Sequence, residues 1–157
     1  MNAIRRHPSS VFDSSGGAIP ATDAALAVAS YRRVEERGSA ASVAFFARVH
    51  GASSRLRRMF PHDDLDKRSL AREMFDLVAL HLEAQAELQS LLERMGRRGL
   101  LDGVSVQEVG AISASLLTTL REFDNGWSHD VERAWATVFA WVLGTLRRGE
   151  RVRRVRA

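Results

Sequence analysis

The sequence predicts an all-α domain of about seven helices, and three observations carry that prediction. From residue 22 onward the apolar residues recur at helical spacing. No alternating, strand-like stretch runs for more than a few residues. The prolines are Pro8, Pro20 and Pro61, so nothing after residue 61 forbids helix. A chain of 157 residues fits one domain with a core large enough to stand without covalent staples.

The elements follow in order. Residues 1–21, rich in Ser, Gly and Pro, predict a flexible lead-in. Thr22 and Asp23 open a first helix marked by Leu26, Tyr31 and Val34. Ser39 is placed to cap a second, with Val43, Phe46 and Val49 on one side. A short turn leads to Phe60 and Pro61. Asp63, Asp64 and Asp66 crowd the next helix start, where carboxylates suit the positive end of the dipole. That helix carries Leu70, Met74, Leu77, Val78 and His81, and a shorter one runs through Leu88, Leu91, Leu92 and Met95 to Gly96. Ser105 and Glu108 make a capping box for a helix with Val109, Ile112, Leu116, Leu120 and Phe123 on one face. Gly126 interrupts it. Ser128, with Asp130 and Glu132, begins the last helix, whose inner face holds Val131, Trp135, Val138, Phe139, Val142 and Leu146. The domain is bounded at residues 22–148, leaving 149–157 as a basic C-terminal tail.

Composition narrows the chemistry. Cysteine is absent, which excludes a disulfide framework, a thiol nucleophile and a cysteine metal site. Apolar runs such as residues 24–29 are far too short to span a bilayer, and the opening MNAIRRHPSS does not read as a signal peptide, so a cytoplasmic protein is expected. The net charge of +4 is concentrated: residues 147–156 hold six arginines against Glu150, which leaves the remainder of the chain at −1. Such a segment can bind nucleic acid, acidic partners or anionic lipid. A solvated, frayed helix end is the simpler reading, and neither a nucleic-acid nor a membrane partner is predicted. No two histidines stand at i, i+3 or i, i+4, and no Ser/His/Asp set or phosphate loop stands out, so no zinc site and no enzymatic activity is expected.

Three stretches carry a family resemblance. FFARVHGASSRLRRMFPHDD resembles the second helix and following corner of bacterial globins, RMGRRGLLDGVSVQEVGAISASLLTTL resembles their GRRH…GV…VG…LL…TL stretch, and SHDVERAWATVFAWV resembles their last helix. The likeness spans residues 23–148 and points to single-domain globins and the haem domain of flavohaemoglobins. It implies a globin fold, with a haem held through one proximal imidazole in an apolar pocket. In the family that histidine directly follows Gly-Arg-Arg; here Gly96, Arg97 and Arg98 are followed by Gly99, which has nothing to ligate with.

Other pocket positions that the resemblance implies have also drifted. Phe46 stands where a tyrosine would donate to bound oxygen, Lys67 where the distal glutamine would be, Ala71 one turn on, and Val109 where a tyrosine would support the proximal histidine. Phe60 retains the phenylalanine that packs on haem, and Glu150 aligns with the proximal glutamate but is expected to be merely exposed. His81 lies roughly 20 Å along its helix from Lys67 and should miss the iron. His50 and His62 flank the corner, His129 starts the last helix and His7 lies in the lead-in. Met95, one turn before Gly99, is the one nearby side chain able to coordinate, although it reads first as a core methionine. The expectation is a haem-free globin-like sensor or interaction module with no cofactor, working with a signalling partner protein or as a homodimer. A haem protein with an unusual ligand that binds oxygen or another diatomic gas is the first alternative, and a carrier of a small apolar ligand in the former haem space the second. On this alignment Gly99 should face inward, toward that space.

Overall fold

The computed structural model describes residues 17–60 and 62–157. The predicted lead-in through residue 16, with His7 and Pro8, lies outside the described residues, as does Pro61. So do the side chains of Asp64, Lys67, Arg68, Ala71 and Leu80. Among the described residues the chain forms seven helices and no strand: α1 (Ala21–Glu35), α2 (Gly38–Ala52), α3 (Ser54–Met59), α4 (Asp64–His81), α5 (Gln85–Arg97), α6 (Val106–Phe123) and α7 (His129–Arg156).

Local chemistry explains most of the boundaries. Asp63 accepts from the Leu65 and Asp66 amides at the start of α4. The Ser105/Glu108 capping box closes in both directions, at 3.1 and 2.8 Å. Ser128 accepts from the Val131 amide to open α7, and Ser53 from the Leu56 amide to open α3. Ser39, in contrast, caps nothing: α2 begins one residue earlier, after Arg37, and makes no side-chain cap. The turn between α1 and α2 is too tight to place Ser39 outside the helix, because the Arg37 amide already bonds the Val34 carbonyl and the Arg37 carbonyl accepts from Ala41.

Ordered contacts and helix are present beyond both expected domain edges. Ahead of residue 22, Ile19 is buried, and its amide and carbonyl pair with the Gln85 side chain at 2.9 Å each, tying the entry of α1 to the start of α5. At the other end the arginine run is not a separate tail. Helix α7 continues unbroken to Arg156, and Gly149 is buried within it.

Two apolar clusters make the core. The larger joins α1, α5, α6 and α7 through Ala27, Tyr31, Leu88, Leu92, Leu120, Trp135, Val138 and Leu146. The smaller joins α2 and α3 to α4 and α6 through Phe45, Phe46, Val49 and Leu56, with Phe60, Leu70 and Ile112 packed against it. Helix α7 is the backbone of the first, and its closest partner is α5. Where these helices cross, Gly96 lies against the Leu146 carbonyl and Gly149 against the Glu93 carbonyl, so closely that a methyl group on either glycine would overlap the facing main chain.

A buried polar chain secures the other half of α7. The Trp135 indole donates to the Ser30 hydroxyl at 2.9 Å, and Ser30 donates to Asp124 at 2.6 Å. Asp124 also accepts from Arg33 at 2.5 and 2.9 Å and from the Gly126 amide at 2.8 Å. Its side chain has no solvent exposure. Burial pushes the Asp124 carboxyl up, but the hydrogen bonds from Arg33, Ser30 and Gly126 and the Arg33 charge outweigh it and hold the group below the usual carboxylate range.

Candidate functional site

The residues expected around one pocket lie on α2, α4, α5 and α6, just after α3 and just beyond α5. Phe46, fully buried on α2, tilts against Phe60 with ring centroids 5.6 Å apart, and both belong to the smaller apolar cluster. Met95 packs half-buried against the larger cluster. Val109 is buried near the start of α6. Lys67 and Ala71 lie in α4, but their side chains fall outside the described residues.

Gly99 departs from the expected geometry most clearly. Helix α5 ends at Arg97, and Gly99 follows it with φ +86°. Its amide bonds the Gly96 carbonyl at 3.1 Å, and the Leu100 amide reaches the Met95 carbonyl at 3.4 Å, the paired bonds of a glycine-terminated helix. The left-handed conformation is the reason for glycine here. A side chain would point at the Asp102 carboxylate and the Arg153 guanidinium, a two-pronged ion pair at 2.8 and 2.5 Å on the surface, rather than into an apolar space. The inward orientation expected of Gly99 is therefore corrected. An axial imidazole needs a helical, inward position, and this one is a helix-ending turn beneath an ion pair. The residues present do not fit a haem at this position.

Glu150 also differs from expectation. Its side chain is largely buried and pairs with Arg154 at 2.6 Å. The histidines are dispersed: His81 donates to the Leu77 carbonyl one turn back at 2.9 Å, His50 and His62 stack at 4.6 Å beside Phe46, and His129 is exposed at the start of α7. Among the described residues no three His, Cys, Asp or Glu side chains gather as metal ligands.

A cleft that the sequence did not reveal lies between α1, α2, α4 and α6, with a volume of about 330 Å³. Val34, Ala41, Phe75 and Leu120 supply apolar wall, and Glu35, Ser39 and Arg72 line it with polar groups. Tyr31 stacks on Phe75 with centroids 5.7 Å apart and donates its hydroxyl to Asp76, which Arg72 also approaches at 3.5 Å. Burial, then the bond to Asp76, raises the Tyr31 pKa, so the phenol stays a protonated donor at neutral pH. Thr119 donates to the Ser115 carbonyl and accepts from Arg48, both at 2.8 Å, and Arg48 pairs with Glu122. Tyr31, Arg72 and Thr119 thus have partners within the protein, while apolar side chains supply much of the wall. No pattern in the sequence marked these residues, because they come from four helices and each reads locally as an ordinary core or surface position.

No protein-family model matches the chain, and no curated protein matches it.

Proposed function

We propose that the chain is a globin-like domain that works without the usual proximal haem ligand, as a haem-free sensor or interaction module. The haem-free part of this reading is carried by the geometry at Gly99, where the residue after the Gly-Arg-Arg of α5 terminates the helix and faces an ion pair, whereas the globin-like part rests on the sequence resemblance. Three further features support it. The stretches resembling globins fall, in order, on α2 and α3, on α5 and α6, and on α7. Phe46 and Phe60 pack on each other within one apolar cluster. Met95 packs in the other.

The test is a haem titration of protein expressed with ample haem supply. The expected result is no stoichiometric complex and no sharp Soret band. A tight one-to-one complex would overturn the reading in favour of a haem protein with an unusual ligand. Substituting Met95 and each histidine in turn would then identify that ligand.

A second reading, carriage of a small apolar molecule, is favoured by the cleft beside Tyr31, whose size lies at the lower end for small-molecule sites. It moves the ligand from the former haem space to the cleft between α1, α2, α4 and α6. Filling the cleft with Ala41→Phe should then abolish binding of an apolar fluorescent dye, and unchanged dye binding would remove this reading.

A further inference from the structure

The crossing of α5 and α7 has an electrostatic consequence. Glu93 lies against Gly149, Gly96 against Leu146 and Glu150, and Gly99 against Arg153, so the C-terminal ends of the two helices lie together. Arg94, Arg97 and Arg98 of the α5 end therefore share one end of the molecule with Arg147, Arg148, Arg151, Arg153, Arg154 and Arg156. Three carboxylates stand among these nine arginines, and each is engaged: Glu93 with Arg148 at 3.9 Å, Asp102 with Arg153, and Glu150 with Arg154. Nine arginines and three carboxylates leave +6 at this end, whereas the whole chain carries +4, so everything else sums to −2. Basic side chains suit the negative ends of two helix dipoles. That accounts for one or two of them and not for six beyond the ion pairs.

Exposed aliphatic side chains occur at the same end of the molecule. Val155 is 86% exposed, Leu100 51% and Val152 40%. Leu100 follows the turn against which Arg153 lies, and Val152 and Val155 alternate with the arginines of α7. No aromatic residue occurs in residues 93–102 or 147–157, so this end offers no platform on which nucleic-acid bases stack. Guanidinium groups grip phosphate in two-pronged fashion, and aliphatic side chains beside them enter the boundary between headgroups and acyl chains. No described helix is long and apolar enough to cross a membrane, so any bilayer contact made through this end is peripheral.

We infer that the joined α5 and α7 ends form a docking surface for an anionic phospholipid bilayer, with arginines on the headgroup phosphates and Leu100, Val152 and Val155 set into the interface. This departs from the absence of a membrane partner expected from sequence, and it stands independently of the haem-free reading.

The experiment is co-sedimentation of the full chain with vesicles of phosphatidylcholine alone and of phosphatidylcholine with about 30% phosphatidylglycerol, at low and at raised salt. Binding to the anionic vesicles, weakened by salt and absent on phosphatidylcholine alone, is the expected result. The triple variant Arg97→Gln, Arg98→Gln, Arg151→Gln should lose about tenfold or more in partitioning, in line with the loss of three charges near the surface. A control with the same charge change elsewhere, Arg32→Gln, Arg58→Gln, Arg121→Gln, should bind nearly as the parent does. Val155→Asp should weaken vesicle binding. Circular dichroism melts confirm that each variant folds. Equal loss in both triple variants, no binding to anionic vesicles, or tighter binding to a short DNA duplex than to vesicles would each overturn the assignment.

Discussion

Helix α7 is held at its two halves by opposite means. Its first half is secured by polar atoms: Trp135, Ser30, Asp124 and Arg33 form a hydrogen-bonded chain that links α7, α1 and the end of α6. Its second half is secured by the absence of atoms, since Gly96 and Gly149 let the main chains of α5 and α7 touch. The difference concerns how each contact fails. A glycine contact has no tolerance for an added methyl, because the obstacle is backbone and cannot rotate away. A buried carboxylate tolerates changes of shape but not loss of its partners, because an uncompensated polar group stays behind.

The largest effect should therefore come from the glycines. Gly96→Ala and Gly149→Ala each replace a hydrogen with a methyl that overlaps a carbonyl of the facing helix. Alanine's better helix propensity offsets roughly 1 kcal/mol. Overpacking at an unyielding contact costs about 3 kcal/mol, so each variant should lose about 2 kcal/mol in chemical denaturation. The double variant should lose less than the sum, because separating the helices once relieves both overlaps. As a control, Gly110→Ala on α6, where a methyl would meet open space, should be neutral or stabilising. A Gly96→Ala variant as stable as Gly110→Ala would show that α5 and α7 do not cross this closely.

Asp124 comes next. Replacing it with Asn keeps the shape but removes the charge that Arg33 faces, and should cost about 1.5 kcal/mol at neutral pH. The pH dependence distinguishes this loss from a simple packing defect. Because the folded Asp124 carboxyl is held below its usual range, its contribution is complete above the unfolded value of about 3.9 and is lost as pH falls through the folded value. The gap between the parent and Asp124→Asn in denaturant melts should therefore narrow under acid conditions. A gap constant down to the acid limit would mean that the charge is not what secures this half of α7.

These two anchors also show what was legible from sequence. Helix number and order, the acidic start of α4, the Ser105 and Ser128 caps and the inner face of α7 were all readable, because periodicity and capping are local signals. Asp124 was not. It precedes Asn125 and Gly126 and reads as an ordinary polar turn, and only the approach of Ser30 and Arg33, some ninety positions away, makes it internal. Gly149 stood at the start of an expected tail, because nothing local distinguishes a glycine that ends a helix from one on which another helix rests. Gly99 shows the converse: the sequence marked it by what should have been there, while its conformation is set by the end of α5.

The smallest stability effect and the most informative spectroscopic result should come from Gly99→His. The substitution places a branched side chain at φ +86°, where L-residues lose roughly 1–2 kcal/mol, and directs it at the Asp102 and Arg153 pair. That ion pair is exposed, and exposed pairs contribute little, so its displacement should add little to the loss. The imidazole should settle on the surface beside Asp102 rather than in an apolar space. No Soret band should develop when haem is added, and the melting temperature should fall less than for either alanine variant at the crossing. A companion variant, Arg153→Gln, isolates the ion pair: its small effect should vanish at raised salt, whereas the loss in Gly99→His should persist because backbone strain is not screened. Acquisition of stoichiometric haem by Gly99→His would require α5 to continue as helix past Arg97 and turn residue 99 inward. The helix-ending bonds from Gly99 and Leu100 back to Gly96 and Met95 would then have to open, and with them would fall the reason for placing glycine at this position.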